Sequence, residues 1–135
     1  LGDRMRLVGP RTGDALAAAY AAADLLVLAT RGETYGMVVT EALARGIPVL
    51  ATAVNGLPEA LGLAPDGSPP GILVEPDDPI ALAGALRRWV CEPDLRHRLR
   101  QSAMGRRETL TSWSVTSDVL ATVLDGVPVA CEVRA

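Results

Sequence analysis

Apolar positions along the chain fall into two kinds of run. Short continuous runs recur at residues 5–8, 24–30, 47–52 and 72–74, each bounded by glycine, proline or a charged residue. All four read as strands, and the run over 24–30, continuously apolar after Asp24, is that of a strand covered on both faces in a parallel sheet. Between them lie alanine-rich segments with helical spacing. Asp14 is placed to cap a helix over 15–23, in which Leu16 and Tyr20 share a face. A helix runs on to Arg45, and Gly46 suits the position just past its end. Asn55-Gly56 predicts a turn, and Pro58 can open a short helix over 57–61. Asp77-Asp78-Pro79 predicts the start of a helix to Cys91, with Leu82, Leu86 and Trp89 or Val90 inward. Pro93 ends it. A charged helix over 94–110 follows, with Leu95, Leu99 and Met104 inward, then a third helix over 113–124, its leucines counted as core. Strand and helix thus alternate four times before helices run alone. That pattern predicts a doubly wound parallel α/β sheet with a helical C-terminal cover, occupying 1–125, and a flexible tail over 126–135.

Composition narrows the chemistry. The chain has 135 residues, enough for one domain, and its net charge of −3 argues against nucleic acid or an anionic surface as partner. All thirteen basic residues are Arg, so no lysine is present for a Schiff base or a phosphate loop. One histidine, His97, disfavours a histidine-based metal site or a Ser-His-Asp triad. The two cysteines, Cys91 and Cys131, form no disulfide framework, and Cys91 is expected to be buried packing. No run approaches the roughly 20 apolar residues of a membrane span, so the expected location is the cytoplasm. The chain starts without Met and almost at once enters an apolar run, as a piece of a larger protein would.

The stretch with the densest chemistry is 31–41, Arg-Gly-Glu-Thr-Tyr-Gly-Met-Val-Val-Thr-Glu. It joins an expected strand to an expected helix, the place where open α/β sheets bind ligands. Glu33 and Glu41 have seven residues between them. The amides of Tyr35, Gly36, Met37 and Val38 would form the helix's first turn, where backbone N–H groups lack partners and favour an anion.

The order Glu33-x-Tyr35-Gly36-Met37, then Glu41-Ala42-Leu43-Ala44, then Gly46-Ile47-Pro48-Val49 resembles the retaining glycosyltransferases of the GT-B fold, family 4 above all. Tyr20 to Asp24, Gly56 with Glu59, residues 71–74 with Asp77, and Trp113 resemble further family positions in order, so the likeness covers about 5–124. It implies a Rossmann-like sheet, the C-terminal half of a GT-B enzyme. It implies that the chain binds a nucleotide diphosphate sugar and, within the whole enzyme, transfers the sugar with retention to an acceptor the sequence does not identify. By that likeness Glu33 lies at the reacting centre. Tyr35, Gly36 and Met37 meet the sugar through their amides, Val38 meets the phosphate, and Glu41 binds the ribose. Arg11 approaches the base. No metal or other cofactor is implied. The family's upstream Arg and Lys, and its N-terminal acceptor domain, have no counterpart here, so the chain alone is expected to be inactive. An open sheet edge left by missing strands would favour self-association. The whole enzyme could sit at the inner face of the membrane. Tyr35 stands where the family more often has Phe, and Asn55 where a Gly-Gly pair is common.

Other readings compete. A nucleotide-sugar epimerase or an inverting transferase shares the fold but lacks this acid pair. A non-catalytic α/β nucleotide-binding or regulatory module, of response-regulator type, needs clustered acids and an Asp after a central strand. Here Thr30 and Arg31 follow the run instead.

Overall fold

A computed structural model describes residues 2–110 and 113–126. Three strands, β1 (Leu26–Leu28), β2 (Val49–Thr52) and β3 (Gly71–Val74), form a parallel sheet in the order β1-β2-β3. Leu26, Val27 and Leu28 pair with Val49, Leu50 and Ala51, which continue onto Gly71, Ile72 and Leu73. The chain forms six α-helices among the described residues. These are α1 (Gly13–Ala21), α2 (Met37–Leu43), α3 (Leu57–Leu61), α4 (Pro79–Cys91), α5 (Pro93–Thr109) and α6 (Trp113–Asp125). Strands of three and four residues suffice because helices α1 to α5 pack on the sheet.

Period-two alternation divides the sheet's side chains. Leu26, Leu28, Val49, Ala51 and Leu73 point into a core with Tyr20 of α1, Val39, Ala42 and Leu43 of α2, and Leu57, Ala60 and Leu61 of α3. Ile72 of β3 packs on the opposite side with Trp89, Leu95 and Leu99 of α4 and α5. Leu43, Leu50, Leu57, Val39 and Val49 are fully buried, each worth about 1.5–3 kcal/mol relative to exposure. Gly71 is required by this packing: a Cβ there would run into the carbonyl of Val49.

The helix ends follow local chemistry. Asp78 accepts from the amides of Ile80 and Ala81 and caps α4, with Pro79 in the first turn. Past α2, Gly46 takes φ +70°, with its amide on the Leu43 carbonyl and that of Ile47 on Ala42.

Several expectations are corrected. Residues 5–8 form no strand; Met5, Leu7 and Val8 are exposed, and no neighbouring strand offers a ladder to this arginine-interrupted run. The sheet therefore has three strands among the described residues, not four. β1 is an edge strand: Leu26 and Leu28 pack into one core and Leu25 against Trp89, Leu95 and Leu99 on the other face, while Val27 stays 43% exposed, so the second face is only partly covered. Thr12, not Asp14, occupies the cap position of α1, without a side-chain bond. Asp14 lies one residue inside, where its charge still suits the helix dipole. In α5 the inward positions are Leu95, Leu99, Ser102 and Ala103, while Met104 faces outward over Gly46. Val90 is exposed and Trp89 buried, which resolves that alternative. Cys91, at the end of α4, is exposed rather than packed. In α6, Val119, Leu120, Val123 and Leu124 are all more than half exposed, so they are not core. Cys131 and the tail beyond 126 lie outside the described residues, as does the side chain of Trp113. Among the described residues no helix is long and apolar enough to cross a membrane.

Candidate functional site

The carboxyl ends of the three strands open at one edge of the sheet, and the loop leaving β1 is held there by hydroxyls. Thr52, the last residue of β2, donates its hydroxyl to the Thr30 carbonyl at 2.6 Å and accepts from the Thr30 amide at 3.2 Å. This side chain extends the β1–β2 pairing past the last backbone rung. Thr30 in turn donates its own hydroxyl to the Gly32 carbonyl at 2.7 Å and accepts from the Gly32 amide. The chain is thereby turned at residue 32. Arg31 reaches across the strand ends and donates to the carboxylate of Asp77, which follows β3 at φ +59°. Both side chains are mostly exposed, at 86% and 64%, so the pair is worth no more than about 1 kcal/mol.

Glu33 follows the turn, half-buried, its Oε1 accepting from the Thr34 amide at 3.0 Å. It lines a cleft of about 570 Å³ with Gly32, Thr34 and Asn55. The opposite wall comes from the turn after β2. Asn55 adopts φ +45°, a conformation Asn tolerates. A Cβ on Gly56 would lie 2.8 Å from the Thr34 carbonyl and 3.2 Å from Tyr35 Cα, so the two turns touch backbone to backbone. Gly36 caps α2 at φ +81°, and a Cβ on it would collide with Leu57 of α3. Glycine at both positions is a steric requirement of bringing the loops after β1 and β2 together.

Past Gly36 the backbone leaves donors free. Val39 and Thr40 donate to the Gly36 carbonyl, whereas the amides of Tyr35, Gly36, Met37 and Val38 make no hydrogen bond among the described residues. Tyr35 and Met37 are exposed, while Val38 is half-buried against the core.

Glu41 lies further along α2 and is half-buried. Its Oε2 accepts from the Tyr20 hydroxyl at 2.8 Å. Burial of the phenol, its hydrogen bond to Glu41 and the charge of Glu41 all push the Tyr20 pKa upward, with Arg45 opposing. The hydroxyl is therefore a proton donor throughout the neutral range.

The structure places Glu33, the four amides and Glu41 along one continuous strand-to-helix junction. Glu33 faces the cleft with Asn55, and Glu41 faces Tyr20. Arg11 is exposed in the segment before α1 and does not line the cleft of Glu33 and Asn55. Among the described residues no three His, Cys, Asp or Glu side chains lie close enough together to hold a metal ion. Three contributors went unread in sequence: the Thr30–Thr52 hydroxyl staple, the Arg31–Asp77 bridge and the Tyr20–Glu41 bond. The last two join residues 46 and 21 positions apart, a relation that no local pattern encodes. For Thr52, a hydroxyl at the end of an otherwise apolar strand was the available signal.

Residues 1–106 match the family described as Glycosyl transferases group 1. Over 126 residues the chain is 34% identical to a D-inositol 3-phosphate glycosyltransferase of Corynebacterium jeikeium (strain K411), covering 93% of this chain and 29% of that protein. Over 114 residues it is 40% identical to the protein of that name from Salinispora tropica, covering 84% and 23%. The chain therefore spans less than a third of the length of these relatives. Among solved structures, sucrose-phosphate synthase from Thermosynechococcus elongatus superposes with TM-score 0.74 at 32% identity, over 92% of this chain and 30% of that one. Anabaena HepE, solved in complex with UDP and glucose, superposes with TM-score 0.67 at 22% identity, over 81% and 29%, a likeness of fold. The fold is the mixed α/β arrangement of GT-B glycosyltransferases.

Proposed function

Since the chain belongs to the glycosyl transferases group 1 family, we propose that residues 1–125 form part of the donor-binding domain of a retaining, family 4 hexosyltransferase. The observation that carries this reading is the junction 31–41. Two glutamates flank four amides without partners, at the carboxyl end of a parallel strand, in a chain of this family. The donor is a nucleotide diphosphate sugar. Its diphosphate lies over the amides of α2, with Val38 nearest a phosphate and Tyr35, Gly36 and Met37 at the sugar. Glu33, in its cleft with Asn55, faces the reacting centre, and Glu41 accepts from ribose hydroxyls. Arg11 serves the base. The presence of UDP in HepE supports a nucleotide ligand of this kind.

Transfer breaks the bond between the anomeric carbon and the diphosphate oxygen. The acceptor oxygen bonds the same carbon on the same face, and its proton leaves with the diphosphate. Negative charge grows on the leaving group, and amides fixed by Gly36 and the Thr30–Thr52 staple meet it with little reorganisation. No metal is assigned. The acceptor domain and the remaining diphosphate-binding cations belong to the rest of the enzyme, so this chain alone transfers no sugar. The enzyme works in the cytoplasm or at the inner face of the membrane.

Calorimetric titration of the whole natural protein containing this chain, with UDP, GDP and ADP and their glucose conjugates, tests the reading. Saturable binding of one nucleotide, weakened by about 1–3 kcal/mol in Glu41→Ala, is expected. Binding indifferent to Glu41 refutes the ribose assignment, and no binding refutes the donor reading.

A further inference from the structure

We propose that Tyr20 is the positioning residue for Glu41, holding one carboxylate oxygen so that the other is presented to a ribose. This rests on the ribose role given to Glu41 above. The phenol hydroxyl donates to Oε2 at 2.8 Å, which leaves Oε1 free to accept. A free glutamate side chain samples many rotamers; a carboxylate tied at one oxygen loses less freedom on binding.

The tie is itself fixed. The Tyr20 ring is buried in the core formed with Val39, Ala42 and Leu43. The Arg45 guanidinium lies 4.3 Å from the ring centroid, in cation–π contact. Arg45 in turn donates to the Glu41 carbonyl at 2.8 Å. The four parts form a closed circuit: Glu41 carboxylate, Tyr20 hydroxyl and ring, Arg45 guanidinium, Glu41 carbonyl. Its members come from α1, from α2 and from the turn that ends α2, so the docking of α1 sets the orientation of a site residue on α2. Because burial and the hydrogen bond raise the phenol pKa, the donor proton stays in place across the neutral range.

The test is nucleotide binding by the whole natural protein, using UDP, GDP and ADP and the 2′,3′-dideoxy form of whichever binds. Tyr20→Phe keeps the ring and removes the donor. It should weaken the ribose form about three- to tenfold and leave the dideoxy form unchanged. Glu41→Gln should show the same ribose-selective loss, and the double variant should be no worse than Glu41→Gln alone. Arg45→Met, which removes the guanidinium from the ring but not the hydroxyl, should give a smaller loss of the same selectivity. Should Tyr20→Phe fail to fold by circular dichroism, Arg45→Met decides. If Glu41→Gln is ribose-selective while Tyr20→Phe weakens both forms equally or neither, the positioning role falls and the role of Glu41 stands. If Glu41→Gln shows no ribose selectivity, both fall together.

Discussion

Replacing Gly36 by Ala should destabilise the protein severely, for two additive reasons. Gly36 holds φ +81° at the start of α2. An L-residue in the left-handed region costs about 1–2 kcal/mol. The added Cβ would also collide with Leu57 Cδ2. Leu57 is fully buried, so it cannot swing into solvent, and overpacking of this kind costs about 1–3 kcal/mol. Together the terms give about 2–5 kcal/mol against a total stability of about 5–15 kcal/mol. With a mid-range urea dependence of about 2 kcal/mol per molar, the unfolding midpoint should fall by about 1–2.5 M. Gly32→Ala is the control. It lies in the same loop, with no atom within 4 Å of its Cβ position and no left-handed φ. Its effect should stay within about 0.5 kcal/mol. Leu57→Ala should make the Gly36→Ala cost smaller in the double variant, because it removes the atom struck. A Gly36→Ala midpoint equal to that of Gly32→Ala would refute the steric account.

Two further outcomes follow from the hydroxyl bonds. Thr52→Val keeps the shape of a buried side chain and strands the amide and carbonyl of Thr30, which should cost about 1–3 kcal/mol; a loss below about 0.5 kcal/mol would show that the staple contributes nothing. Tyr20 should ionise above its ordinary 10.0 in the folded protein, through burial first and the bond to Glu41 second. Unfolded, the phenol loses its proton nearer the ordinary value, so its stabilising share is complete below pH 10 and disappears as pH rises through the higher folded value. Tyrosinate absorbance, wild type minus Tyr20→Phe, reads this directly, and a component titrating at or below 10 would contradict it.

The parts legible in sequence are those where one residue's backbone chemistry settles the matter. Gly46 ends α2 in the left-handed conformation, Asp78 and Pro79 open α4, and Pro58 lies in the first turn of α3. The apolar runs at 47–52 and 72–74 became β2 and β3 because both are covered by helices. The run at 5–8, interrupted by Arg6, had no partner, and a strand exists only where a neighbour supplies its hydrogen bonds. Depth within a helix was read less well than its existence. Met104 and Ala103 differ by one position, about 100° of rotation, and the smaller residue took the inward place against the core. The candidate site was legible as a stretch, since 31–41 is contiguous. Its supports were not, because Thr52, Asp77 and Tyr20 reach it only through tertiary packing.

The central claim is that the junction 31–41 receives a nucleotide diphosphate sugar. Amide hydrogen exchange of the whole natural protein, with and without a saturating nucleotide, tests it most directly. The amides of Tyr35, Gly36, Met37 and Val38 have no acceptor among the described residues, so they should exchange fast alone. Bound diphosphate should slow these four most, with lesser change at Gly32 to Thr34. Protection confined to the groove of Leu61, Ile72, Leu95 and Leu99, or spread evenly over the sheet, would contradict the claim.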